Sequence, residues 1–134
     1  MAVDFKAIGE YETVLATIAT AVVIEAGDLV AIDTGLIIKA VAASPEIAFA
    51  VTASPLGSTQ IEVTNGRVQL IGTGDAAFAV SQKGTEVDIV GTTTQLIDVG
   101  ESSTNVLRIS TKEDAGTVDA LTNIKVEINK PINF

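Results

Sequence analysis

Leu29-Val30-Ala31-Ile32-Asp33-Thr34-Gly35-Leu36-Ile37-Ile38-Lys39-Ala40-Val41 is the stretch on which the reading of this chain turns. Two apolar runs flank the short, glycine-containing link Thr34-Gly35, and that arrangement predicts a β-hairpin. The bias extends well beyond it. The 134 residues include 16 Val, 15 Ile and 16 Thr, about a third of the chain. Their β-branched side chains suit a pleated surface better than a helix.

Upstream of the hairpin, residues 11–18 predict a strand and residues 19–24 its continuation after a bend at Thr20. Glu25-Ala26-Gly27-Asp28 reads as a turn. Downstream, Val41-Ala42-Ala43-Ser44-Pro45 is echoed by Val51-Thr52-Ala53-Ser54-Pro55. Each Ser-Pro is expected to end a strand, because Pro cannot donate to a ladder and restricts the residue before it. Residues 60–63 and 67–71 flank Thr64-Asn65-Gly66 and predict a second hairpin, since Asn-Gly tolerates positive φ. A strand is expected at 76–80, then a turn at Ser81-Gln82-Lys83-Gly84. Residues 86–90 alternate Val87 and Ile89 with Glu86 and Asp88, which marks a strand with one wet face. Residues 95–99 and 105–110 repeat the pattern, and Asn123-Ile124-Lys125-Val126-Glu127-Ile128 closes with strict period 2. Residues 111–121 have room for one short helical turn or a loop.

The expected fold class is therefore all-β: a small single-domain β-barrel or sandwich of short antiparallel strands with extended N- and C-terminal tails. Residues 1–10 are read as an N-terminal arm, 11–129 as the barrel or sandwich domain, and 130–134 as a C-terminal tail. One domain is the expectation at this length. Hydrophobic residues at 47% against 19% charged provide enough apolar surface to offset the entropy of ordering.

Composition also narrows the function classes. A net charge of −9 repels a phosphate backbone, and aromatics at 4% with no Trp leave few platforms for stacking bases, so nucleic acid is not an expected partner. Cysteine is absent, which excludes disulfides and thiolate metal sites. Histidine is absent too, which removes the usual general base and the commonest metal ligand. The opening residues lack a basic region followed by an apolar stretch, and no run approaches the roughly 18 apolar residues of a membrane span. Synthesis in the cytoplasm, with no membrane partner, is the expectation.

Four motifs bear on chemistry. Ala31-Ile32-Asp33-Thr34-Gly35 resembles the active-site loop of retroviral-type aspartic proteases, in which two such loops share a proton between carboxylates. Ile89-Val90-Gly91 is a rough counterpart of that family's later apolar-apolar-Gly pair. Thr92 departs from the pattern, however, and that family's glycine-rich flap has no clear equivalent around Leu56-Gly57-Ser58. Asp-Thr-Gly is also an ordinary hairpin connection. Gly72-Thr73-Gly74-Asp75 lacks the Gly-Lys-Ser/Thr ending of a phosphate loop. The acidic pairs Glu86 with Asp88 and Glu113-Asp114 lack EF-hand spacing and read as solvated faces. Thr92 to Thr94 and Ser102 to Thr104 are hydroxyl-rich but have no base beside them. No catalytic, cofactor-binding or metal-binding residue is assigned.

Apolar residues near the termini are the candidate contacts with a partner: Val3, Phe5, Ile8 and Tyr11 at one end, Ile132 and Phe134 at the other. Side chains of this kind dock on a neighbour or pack on their own domain, and the residues alone leave both options open. An arm that docks predicts that deleting residues 1–10 weakens binding while the rest stays folded.

Glu25-Ala26-Gly27-Asp28-Leu29-Val30 running into Gly35, the Lys83-Gly84-Thr85 turn before a strand, the Thr-rich link to Gln95-Leu96-Ile97 and the closing 126–128 strand resemble the small head-decoration (capsid cement) proteins of tailed bacteriophages. The likeness spans roughly residues 22 to 128 and is one of turns and strands. It implies a virion protein on the capsid exterior, binding the major capsid protein and itself as a homotrimer, and clamping neighbouring capsomers without substrate or cofactor. A β module of a phage fibre, tail or bacterial surface protein is the alternative reading, and a retroviral-type aspartic protease using Asp33 is the other.

Overall fold

A computed structural model describes residues 4–52, 59–91 and 93–134. Among the described residues, eleven short strands form three antiparallel sheets that do not close into a barrel, and the architecture is sandwich-like. No α-helix occurs among the described residues. The strands are β1 (Phe5–Ile8), β2 (Glu12–Thr17), β3 (Leu29–Asp33), β4 (Leu36–Lys39), β5 (Ala48–Phe49), β6 (Gln60–Asn65), β7 (Gln69–Gly72), β8 (Glu86–Val90), β9 (Leu96–Asp98), β10 (Leu107–Ile109) and β11 (Ile124–Ile128). The largest sheet has six strands in the order β1-β7-β11-β10-β8-β9, a second has β4-β3-β5, and a third pairs β2 with β6.

The three-stranded sheet lies between the other two because β3 and β5 are apolar on both faces. Leu29, Ala31 and Phe49 enter a core shared with the inward residues of the six-stranded sheet, among them Leu70, Ile97, Leu107 and Val126. Val30 and Ala48 point the other way, into a second core with Ile61, Val63, Ile18 and Ile24. A strand covered on both faces needs a continuous apolar run instead of alternation, which is what Leu29-Val30-Ala31 provides. Single bridges, Ala50 to Val63 and Ile18 to Ile37, link the two smaller sheets without a continuous ladder.

The β3–β4 hairpin forms as expected, with Val30 opposite Lys39 and Asp33 opposite Leu36. Its two loop residues, Thr34 at φ 49 and Gly35 at φ 83, take the left-handed conformations that match strand twist. The second expected hairpin does not form. Strand β6 pairs with β2, whereas β7 pairs with β1 and β11. Gly66, at φ 94, instead turns a corner between sheets. Ile61 and Val63 before it belong to one core, and Val68 and Leu70 after it to the other.

Four further expectations change. Residues 76–80 form no strand; the chain there leads into a 3-10 turn, Val80–Gln82, with Phe78 buried. Residues 19–24 turn away at Ala21, which has φ 64. Residues 1–10 are not wholly an arm, because β1 completes the edge of the large sheet, Phe5 opposite Gly72 and Ile8 opposite Gln69. The C-terminal tail is likewise tied down. Pro131 bridges to Ile47; the Ile132 N–H donates to the Ile47 carbonyl, and the Ile47 N–H donates to the carbonyl of Lys130.

Candidate interaction surface

The sequence-predicted contact residues divide by burial. Phe5 is 1% exposed and Ile132 is 4% exposed; each sits in a core and is unavailable as a docking side chain. The reason is local: β1 needs an inward residue opposite Gly72, whose missing Cβ makes room for the Phe5 ring. Ile8 is half-buried on the outer face of the large sheet. Tyr11 and Phe134 are exposed, and Val3 lies outside the described residues. The structure therefore does not gather the five described residues into one patch.

Two exposed features that the terminal residues did not signal lie on the sheets. The outward side of β2 carries Thr13, Leu15 and Thr17, and Leu15 is 66% exposed, more than any other large apolar side chain described. Its neighbours Val14 and Ala16 face the second core, so strand alternation forces Leu15 outward. Tyr11, just before the strand, is exposed as well.

The other feature is a groove of about 490 Å³ across the outer face of the large sheet, lined by Ile8, Gln69, Glu127, Arg108, Lys125 and Lys112 among others. Register builds it. Ile8, Gln69, Glu127, Arg108 and Glu86 lie in one row across β1, β7, β11, β10 and β8. Lys6, Ile71 and Lys125 form the next row. Three ion pairs stand on this face: Arg67 with Glu127 at 3.4 Å, Arg108 with Glu86 at 2.9 Å, and Lys125 with Asp114. The Lys125 ammonium holds the Asp114 carboxyl below its ordinary pKa.

The β8–β9 end of the same sheet is acidic. Asp88 is buried and accepts backbone N–H groups of Ser103, Thr104 and Asn105 at 3.0, 2.8 and 2.8 Å. Burial alone would raise its pKa, but these hydrogen bonds together hold it below the ordinary value. Asp98 shifts the opposite way, raised by burial and by its neighbours Asp75, Glu101 and Asp88. Among the described residues, no group of three or more acidic side chains is arranged to hold a metal ion.

Asp33 ends β3 at the hairpin tip and is exposed. Gly72-Thr73-Gly74-Asp75 follows β7; Gly74 accepts no added Cβ without clashing, and its N–H donates to Leu121. Both motifs are thus accounted for as chain connections.

Fold and surface together define an antiparallel, sandwich-like all-β domain with an exposed leucine on β2 and a groove lined by charged side chains. No protein-family model matches the chain, nor does any curated protein or solved structure.

Proposed function

We propose that this protein is a structural subunit of a tailed-phage virion that binds the outside of the capsid and stabilises it by bridging neighbouring capsomers. The reading is supported by the likeness of its turn-and-strand pattern to head-decoration proteins, a pattern carried by Glu25 to Val30, Lys83 to Thr85 and Gln95 to Ile97. The observation that carries it is the outward side of β2, where Leu15 stands 66% exposed beside threonines and close in sequence to Tyr11. Strand β2 pairs with β6 alone, so its other edge can take a further strand, and Leu15 adds an apolar contact beside it. A subunit that docks in many copies stabilises the assembled shell by mass action, because it binds that state and not the dissociated one.

Deleting residues 1–10 does not test this, since the deletion removes β1 and Phe5 from the core. Leu15→Ser is the cleaner variant: it removes the apolar contact without placing a carboxylate opposite Glu62, its cross-strand partner. Cosedimentation of purified protein with expanded capsids, followed by electron microscopy, is the measurement. Wild-type protein is expected on the shell surface and Leu15→Ser is expected to bind roughly tenfold or more weakly, an effect of about 1.4 kcal/mol. Decoration of tubes or fibres, or equal binding by the variant, would overturn the proposal.

A further inference from the structure

The hydrogen bonds of Glu62 show which groups stand on the free edge of β2. The Glu62 N–H donates to the Thr52 hydroxyl and its carbonyl accepts the Val51 N–H, so both point away from β2. Leu15, opposite Glu62, therefore turns its own N–H and C=O away from β6. Alternation gives Thr13 and Thr17 the same direction, and the Ile18 N–H, which donates to the Thr59 carbonyl at 3.0 Å, keeps the phase. The N–H and C=O groups of Thr13, Leu15 and Thr17 thus line the edge, and among the described residues none of them has a hydrogen-bond partner.

Sheet edges are commonly blunted by charged side chains, lysine above all, by proline, by a bulge or by shortness. The edges at β1, β4 and β9 follow that rule, with four, four and three residues and with Lys6, Lys39 and Asp98 in them. Strand β2 does not. It has six residues without Lys, Arg or Pro, and an unbroken register from Glu12 opposite Asn65 to Thr17 opposite Gln60. The charges around it are of one sign: Glu12 opens the strand, Glu10 precedes it and Glu62 lies across from Leu15. All three are exposed and, among the described residues, have no ion-pair partner.

From this edge we infer that β2 receives an extended segment of a partner protein that carries lysine or arginine at alternate positions. The backbone groups dictate the extended form, because a row of N–H and C=O groups on a strand edge is satisfied in full by another strand. The three glutamates dictate the charge. A second copy offering its own β2 would bring the same carboxylates, and the repulsion between them disfavours that pairing. Leu15 supplies an apolar contact for one side chain of the incoming strand. The inference rests on the reading of β2 as the docking edge and deepens it by naming the chemistry of what docks. Its test needs no shell, so failure to decorate capsids and failure to bind a strand are read separately.

The probe is a short synthetic peptide in which valine alternates with lysine, titrated into the full chain by calorimetry, with circular dichroism to verify folding. Wild-type protein is expected to bind it, and to bind a counterpart with glutamate for lysine at least about tenfold more weakly. Thr13→Pro removes one outward N–H and leaves the ladder to β6 intact, at the kind of edge position where proline is tolerated. It is expected to bind the lysine peptide at least about fivefold more weakly. In the wild-type protein, hydrogen exchange at the amides of Thr13, Leu15 and Thr17 is expected to slow at least about tenfold under saturating peptide. No binding by wild type, equal binding of the two peptides, a Thr13→Pro variant that binds like wild type, or unchanged exchange at the three amides would each overturn the inference. So would a wild-type dimer, seen by sedimentation, that Thr13→Pro abolishes.

Discussion

Gln95 shows how much a single residue does here. It is fully buried, and its side-chain amide donates to the carbonyls of Leu29 and Ala40 while its carbonyl accepts the Leu29 N–H at 2.7 Å. The side chain thus extends the hydrogen bonding of β3 where no strand does so, and it joins the central sheet to the large one. Gln95→Leu leaves the Leu29 N–H and the Ala40 carbonyl without partners, while the Leu29 carbonyl keeps the Ala40 N–H; at about 1–3 kcal/mol for each unsatisfied group, a loss of roughly 2 kcal/mol or more is expected in urea unfolding. Asp88 and Asp98 predict opposite pH dependences. The folded-state pKa of Asp88 is lowered, so its contribution to stability is present above the ordinary Asp value and is lost as pH falls through the lowered one. That of Asp98 is raised, so its contribution is present below the ordinary value and is lost as pH rises through the raised one. Asp98→Asn should therefore raise Tm at pH 7 and gain less at pH 3, whereas Asp88→Asn should lower Tm at pH 7; calorimetry across that range checks both.

Among the elements, β1 is the one whose role the residue pattern least foretold. Four residues, Phe5–Ile8, hold the edge of the large sheet, and the Phe5 ring fits only because Gly72 opposite has no side chain. Phe5→Ala is expected to cost about 3–5 kcal/mol by leaving a cavity. Gly72→Ala is expected to cost about 1–3 kcal/mol by overpacking against that ring. Tm and urea midpoints measure both, and Phe5→Ala combined with Gly72→Ala should cost less than the sum, because the smaller residue makes room for the added methyl. The β6–β7 connection teaches a different lesson. Asn65-Gly66 permits a reversal, but permission does not choose a partner, and the chain uses it to pass from one core to the other.

Across the whole molecule, the two cores share the three-stranded sheet as a common wall. The net charge of −9 and pI near 4.2 predict a solubility minimum as pH approaches that value, where self-repulsion vanishes; light scattering against pH tests it. Strand content, the β3–β4 hairpin and the strict alternation of Ile124 to Ile128 were legible from residues alone, because backbone sterics and period-two burial act over a few positions. So was the lack of imidazole and thiol chemistry, since the chain contains neither His nor Cys. The terminal contact residues were legible only as apolar side chains near chain ends: nothing local distinguishes Phe5, which enters the core, from Phe134, which does not. Strand order, the corner at Gly66, the outward row of β2 and the groove on the large sheet came from the fold in three dimensions. Each depends on which distant strands share a core, and pairing between distant segments is chosen by the total apolar surface buried and not by any short stretch that takes part in it.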